Sequence, residues 1–247
     1  MITKKFLRSL CLPVVMVCFL PAGATQALEI PGDWAGTWSG HADLGYTSSS
    51  GNSETSHLNA GFGLQYESAP WTHIFELATI QEKEGGDDTS DRLEAEFKTK
   101  YALNELSYVF GDLIYERDEF GGVRERTSET IGYGRKLLNT DVHTLEAELG
   151  LGARQSELAD GSEEEEGIVR LAGHYHRHIS ESATFDQGLL VEAGDSNTYV
   201  ESESALKLKI NGNLYAKLGY TVKYNDTVPA GVENTDTYTS VNLTYEF

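Results

Sequence analysis

From Arg92 to Leu103 apolar or small residues alternate with charged ones. Leu93, Ala95, Phe97, Thr99, Tyr101 and Leu103 occupy one set of positions, and Arg92, Glu94, Glu96, Lys98 and Lys100 the other. A helix turns through about 100° per residue and cannot sort these sets onto two faces, whereas a strand points successive side chains to opposite sides. The same division recurs in Leu145, Ala147, Leu149, Leu151 and Ala153 against Glu146, Glu148 and Arg154, and in Val169, Leu171 and Tyr175 against Arg170, His174, His176 and His178. It returns in Val200, Leu206, Leu208 and Ile210 against Glu201, Glu203, Lys207 and Lys209, and in Leu214, Leu218, Tyr220, Val222 and Tyr224 against Lys217, Thr221 and Lys223. Strands are also expected at Trp38 to Tyr46, Leu58 to Tyr66 and Ala183 to Gly194. Near Trp71 to Glu82, Ser107 to Asp118 and Thr127 to Leu137 the alternation does not decide the face. The pattern predicts about twelve strands, each near the ten-residue length of a tilted membrane-spanning strand.

The connections alternate in length. Short ones are expected at Glu67 to Pro70, Asn104 to Leu106, Leu138 to Val142, Ile179 to Ser182 and Asn211 to Asn213. Longer ones, rich in Gly, Asp, Glu and Ser, are expected at Ser48 to Glu54, Glu84 to Asp91, Glu119 to Arg126, Gln155 to Glu166, Gly194 to Thr198 and Asn225 to Asp236. This rhythm predicts an all-β fold, a transmembrane antiparallel up-and-down β-barrel with both termini and the short turns in the periplasm. Trp38, Tyr66, Tyr101, Tyr175, Phe185, Tyr245 and Phe247 fall at the periplasmic strand ends and Tyr46, Tyr115 and Tyr224 at the outer ends, as interfacial aromatic belts require. The last residues alternate Val241, Leu243, Tyr245 and Phe247 with Ser240, Asn242, Thr244 and Glu246. An ending on Phe resembles the signal by which the outer-membrane assembly machinery recognises its substrates.

Lys4, Lys5 and Arg8, the apolar run from Leu10 to Leu20 and the small residues up to Ala27 read as a secretory signal peptide over residues 1–27, cleaved after Ala27 or, alternatively, Ala24. Residues 28–247 then form one barrel domain. Cys11, Cys18, Met1 and Met16 all lie in the segment to be removed, which excludes disulfides from the mature chain. The formal charge of −20 becomes more negative when the signal cations are lost, which disfavours nucleic acid as a partner. A hydrophobic fraction of 39% suits a barrel, because only alternate strand residues face lipid.

From Trp34 to Phe247 the chain resembles the domain-of-unknown-function 481 family, the YdiY-like proteins labelled salt-stress-induced outer-membrane proteins. The residues that carry this are Gly51-Asn52-Ser53-Glu54-Thr55, Tyr115 to Gly122, Asn139-Thr140-Asp141, Ser162 to Glu166 and Asn234 to Thr237, in that order and spacing. The resemblance implies a Gram-negative outer-membrane location and a barrel architecture, and transfers no catalytic residue.

His174, His176 and His178 are the sharpest constellation of candidate chemistry. At i, i+2 and i+4 of one strand all three imidazoles face the lumen near its periplasmic mouth, where two could share a metal or respond to pH. Counting across the hairpins adds Glu146 and Asp186 near His176. The competing reading is that a barrel lumen needs polar filling. Asp160 to Glu166 reads as a solvated acidic face on an outer loop, since it lacks the spacing of a calcium loop. A lipase-like site would want a His beside a lipid-facing Ser, and outward Ser202 and Ser204 have none in sequence reach. No catalytic residue and no cofactor is expected. The expected partners are outer-membrane lipids, lipopolysaccharide, the assembly machinery and periplasmic chaperones, with the protein itself a monomer.

Two readings of the lumen remain. Inward Arg92, Lys98, Lys100, Arg170, Lys207, Lys209, Lys217 and Lys223 can face inward Glu94, Glu96, Asp112, Glu116, Glu146, Glu148, Glu201 and Glu203 across a narrow channel for ions or small solutes. The same charges can instead pair and close the barrel, leaving a structural or surface-interacting protein. Twelve strands lie between the eight that side chains fill and the sixteen that leave an aqueous channel.

Overall fold

The computed structural model describes residues 36–49 and 55–247. The expected signal peptide, its cleavage site and most of the first long connection, with Gly51 to Glu54, lie outside the described residues. The strands are β1 (Thr37–Ser49), β2 (Thr55–Ser68), β3 (Trp71–Glu84), β4 (Asp87–Ala102), β5 (Ser107–Asp118), β6 (Val123–Asn139), β7 (His143–Leu158), β8 (Glu163–Ser180), β9 (Ala183–Ala193), β10 (Thr198–Asn211), β11 (Leu214–Asn225) and β12 (Thr235–Glu246). Each pairs antiparallel with its sequence neighbours, and β12 pairs with β1 to close the ring. At that seam Gly40 and Phe247 exchange both backbone hydrogen bonds, at 2.9 and 3.0 Å.

Closure leaves no free sheet edge, which is the condition for burying strands in lipid. The barrel is apolar on the outside and polar within. Ile131 is 73% exposed and Leu151 64%, whereas Arg154 and Glu192 are each 1% exposed. A band of exposed aliphatic side chains on every side has no place in water, so the outer face is a lipid face.

The strands are longer than expected and several connections shorter. The connection expected from Glu84 to Asp91 is a turn at Gly85 and Gly86, with φ of 62° and 92°, a left-handed pair that suits a tight hairpin. The Glu119 to Arg126 connection ends early, because β6 begins at Val123. The stretch expected as a loop from Gln155 to Glu166 is mostly strand, since β7 runs to Leu158 and β8 starts at Glu163. Polar outward residues marked these segments as loops. Their inward residues are held by partners inside the barrel, and that extends the pairing beyond the lipid band.

The lumen as candidate functional site

On the side of the lumen formed by β4 to β9 the inward side chains build a dense polar network. Inward Tyr108 and Phe110 of β5 are 5% and 4% exposed. They fit because Gly132 and Gly134 face them from β6; a Cβ at Gly134 would collide with the Tyr108 ring. Over Phe110 lie the cations of Lys98 and Arg170. Lys98 meets Glu96 at 3.1 Å, Asp112 at 3.1 Å and Glu148 at 3.4 Å, while Arg170 meets Asp112 at 2.6 Å and Glu148 at 3.6 Å. Tyr108 donates to Glu146 and Glu148 at 2.9 and 3.0 Å, and Lys100 reaches Glu146 at 3.1 Å. Nearer the other rim, Arg154 donates to Glu166 and to the Asn197 carbonyl, both at 2.5 Å, and lies 3.6 Å from Glu192.

The acidic run expected as a solvated outer loop divides: Glu163 to Glu166 begin β8, where Glu163 and Glu165 are exposed while Glu166 turns inward. Glu166 is an inward strand residue whose side chain is 6% exposed, and Arg154 is the reason. Of that run Asp160 stays in the turn, where hydrogen bonds from the Ser162 hydroxyl and backbone N–H hold its carboxyl below the usual range.

A second group crosses the barrel. Lys223 of β11 meets Glu94 of β4 at 2.8 Å, Glu116 of β5 at 3.0 Å and its neighbour Glu201 of β10 at 3.4 Å. β5 and β11 stand on opposite sides of the ring, so this is a bridge through the lumen. Arg92 joins Glu94 and Glu116 at 2.5 and 3.0 Å, and Arg126 lies 3.9 Å from the Tyr199 ring centre while donating to Asn225 at 2.7 Å. Above it the β11–β12 connection brings Val228 and Val232 beside Gly122 of the β5–β6 connection.

The remaining side, formed by β1 to β3 and β10 to β12, carries smaller inward residues and lines one of two lumenal cavities, the other being lined mainly by β4 to β9. Its inward wall contains Gly61, Ala78, Gly219 and Ser240, with local ion pairs Lys217–Asp43 and Lys207–Glu246, both at 2.7 Å. Lys209 sits over Tyr215, 5.8 Å from its ring centre. Cavities of about 400 Å³ and 360 Å³ meet at His174, Gly188 and Glu203. Glu203 is exposed to this space and, among the described residues, has no salt bridge. Glu76 faces the same space with only His41, at 3.6 Å, as an ion-pair partner among the described residues.

The sixteen charged residues set against one another across the lumen share the inward register of β4, β5, β7, β8, β10 and β11. His174, His176 and His178 share the inward face of β8. Asp186 takes His176 Nδ1 at 2.7 Å, as counting suggested, but Glu146 does not join them: it stands opposite His174 in register and turns its carboxylate to Lys100 and Tyr108. Ser202 and Ser204 face lipid and are bonded to Gln187, at 3.1 and 2.5 Å, an amide that offers no base. Sequence reasoning missed Tyr108, Phe110, Arg126 and Tyr199 as lumen-filling residues. The glycines spaced by two at Gly132 and Gly134 and at Gly150 and Gly152 were the available sign that a bulky neighbour needed room.

A closed ring with a lipid-facing exterior and a charged interior defines a membrane-spanning β-barrel. The family model described as "Protein of unknown function, DUF481" matches residues 42–247, and the chain belongs to that family. It is 31% identical over 212 residues to "Uncharacterized protein YdiY" of Escherichia coli (strain K12), covering 83% of this chain and 82% of the relative. Among solved structures it is similar to the NanC porin, at 10% identity, 85% and 99% coverage and a TM-score of 0.48. It is also similar to the translocator domain of the autotransporter NalP from Neisseria meningitidis, at 9% identity, 84% and 87% coverage and a TM-score of 0.48.

Proposed function

We propose that this protein is a channel of the Gram-negative outer membrane, passing small ions or solutes through two connected cavities of its lumen. The observation that carries the reading is a pair of lumenal cavities that meet at Glu203, one of about 400 Å³ lined mainly by β4 to β9 and one of about 360 Å³ lined mainly by β1 to β3 and β10 to β12. Carboxylates without a compensating cation on such a path favour cations over anions. Conductance of the refolded protein in a planar bilayer tests this. Ohmic steps whose cation preference weakens in Glu203→Gln support a channel past the junction of the two cavities.

The bridge from Lys223 to Glu94 and Glu116 favours a second reading, a non-conducting structural barrel. Silence from protein with full β-sheet signature would select it. In either reading the partners proposed are outer-membrane lipids, lipopolysaccharide, the assembly machinery and periplasmic chaperones, with a monomeric barrel. The Val241, Leu243, Tyr245 and Phe247 series is the proposed assembly signal. Passage of small ions is the property through which the barrel would bear on salt or osmotic stress, and growth of a deletion strain in high salt tests that link.

A further inference from the structure

At the short-turn mouth of the lumen His176 and His178 stand two residues apart on β8, and their Nε2 atoms approach to 3.4 Å. The rings are nearly perpendicular, at 85°, with centroids 4.7 Å apart. Zinc–imidazole bonds are about 2.0–2.1 Å long, and an ion at that distance from two nitrogens 3.4 Å apart subtends an angle of about 110°, the tetrahedral value. His176 Nδ1 faces Asp186 Oδ1 at 2.7 Å. That contact places the ring hydrogen on Nδ1 and leaves the Nε2 lone pair free to ligate, the arrangement by which a carboxylate orients a metal-binding imidazole and raises its basicity.

We propose that His176 and His178 bind a borderline transition-metal ion, Zn²⁺, Ni²⁺ or Cu²⁺, with Asp186 as the positioning residue. Imidazole nitrogen selects these ions over Ca²⁺ and Mg²⁺, which require oxygen. Among the described residues no group of three or more His, Cys, Asp or Glu side chains converges on one point, so the chain supplies two nitrogens and water completes the shell. His174 lies 3.6 Å from Asp186 Oδ1, beside the site without sharing its focus. His178 is exposed and the His176 side chain is 28% exposed, so an ion entering the mouth reaches both.

Calorimetry with zinc, nickel and copper chlorides on the refolded barrel, free of any histidine tag, tests the site without reference to conduction. One saturable site is expected, abolished in His176→Ala/His178→Ala, retained in His174→Ala and weakened about 10–100-fold in Asp186→Asn. Absence of saturable heat with all three metals, or persistence of the site in the double variant, overturns the proposal; full affinity in Asp186→Asn overturns the role of Asp186. Should the double variant misfold, protection of His176 and His178 from diethylpyrocarbonate by Zn²⁺ in the wild-type barrel decides the matter, and equal modification with and without metal overturns it.

Discussion

On the β4–β9 side of the lumen the inward positions carry Tyr108, Phe110, Arg154 and Arg170, all buried, while on the β1–β3 and β10–β12 side they carry Gly61, Ala78, Gly219 and Ser240. Both sides belong to one ring with one alternation of outward and inward residues. The volume placed at the inward positions makes one side a dense polar network beside one cavity and the other the thinly furnished wall of a second. Charges can fill the β4–β9 side because most buried cations there meet more than one acid. Lys98 touches three carboxylates, and Arg154 meets two and a backbone carbonyl. A buried pair of this kind adds little over an apolar core of equal volume, yet losing one member leaves an uncompensated charge.

Five substitutions bear on this contrast. Arg154→Ala strands Glu166 and Glu192 on the β4–β9 side and should cost about 3–5 kcal/mol, read from urea unfolding in lipid vesicles. Lys223→Met removes the crossing cation; a loss of about 3 kcal/mol is expected by the same reasoning, and bilayer recordings should show larger steps, since the carboxylates left behind repel. Unchanged steps would mean that the bridge does not border the path. Gly134→Val drives a methyl into the Tyr108 ring and should destabilise by roughly 1–3 kcal/mol. Gly61→Val, whose Cβ would lie 3.3 Å from Asp43 Cβ, should cost less and narrow the cavity it lines instead, visible as smaller steps at nearly equal stability. Comparable losses for the two glycines would erase the distinction between the sides. Glu203→Gln is the mildest, expected within about 0.5 kcal/mol of wild type in stability, with its effect confined to the reversal potential in a salt gradient.

Much of the architecture was legible in the sequence. The Arg92 to Leu103 alternation announced β4 with the correct face, and the short connections at Asn104 to Leu106 and Asn211 to Asn213 appeared at the expected rim. The faces of β3, β5 and β6 were not legible, because their inward sets mix Ile74, Ala78, Phe110 and Ile114 with acids, and the outward sets include His73 and Glu129. His73 is accommodated outside by stacking near Tyr66, Trp71 and Phe97 and by a 3.0 Å contact with Thr99. The buried state of Glu166 was hidden because an acidic run reads as solvated until its arginine is known.

By itself the sequence determined what depends on neighbours along the chain. It determined the period of two, the number of strands, the inward face of the most regularly alternating strands and where the short turns fall. Whether those charges meet was decided only by the tertiary structure. Lys223 and Glu94 are separated by 129 positions, and their 2.8 Å contact depends on closure of the ring and on the stagger that accumulates from strand to strand. No local pattern records that sum. The sequence could thus place most of the lumenal charges on the inner face, and only the closed barrel could decide which of them meet and which border a cavity.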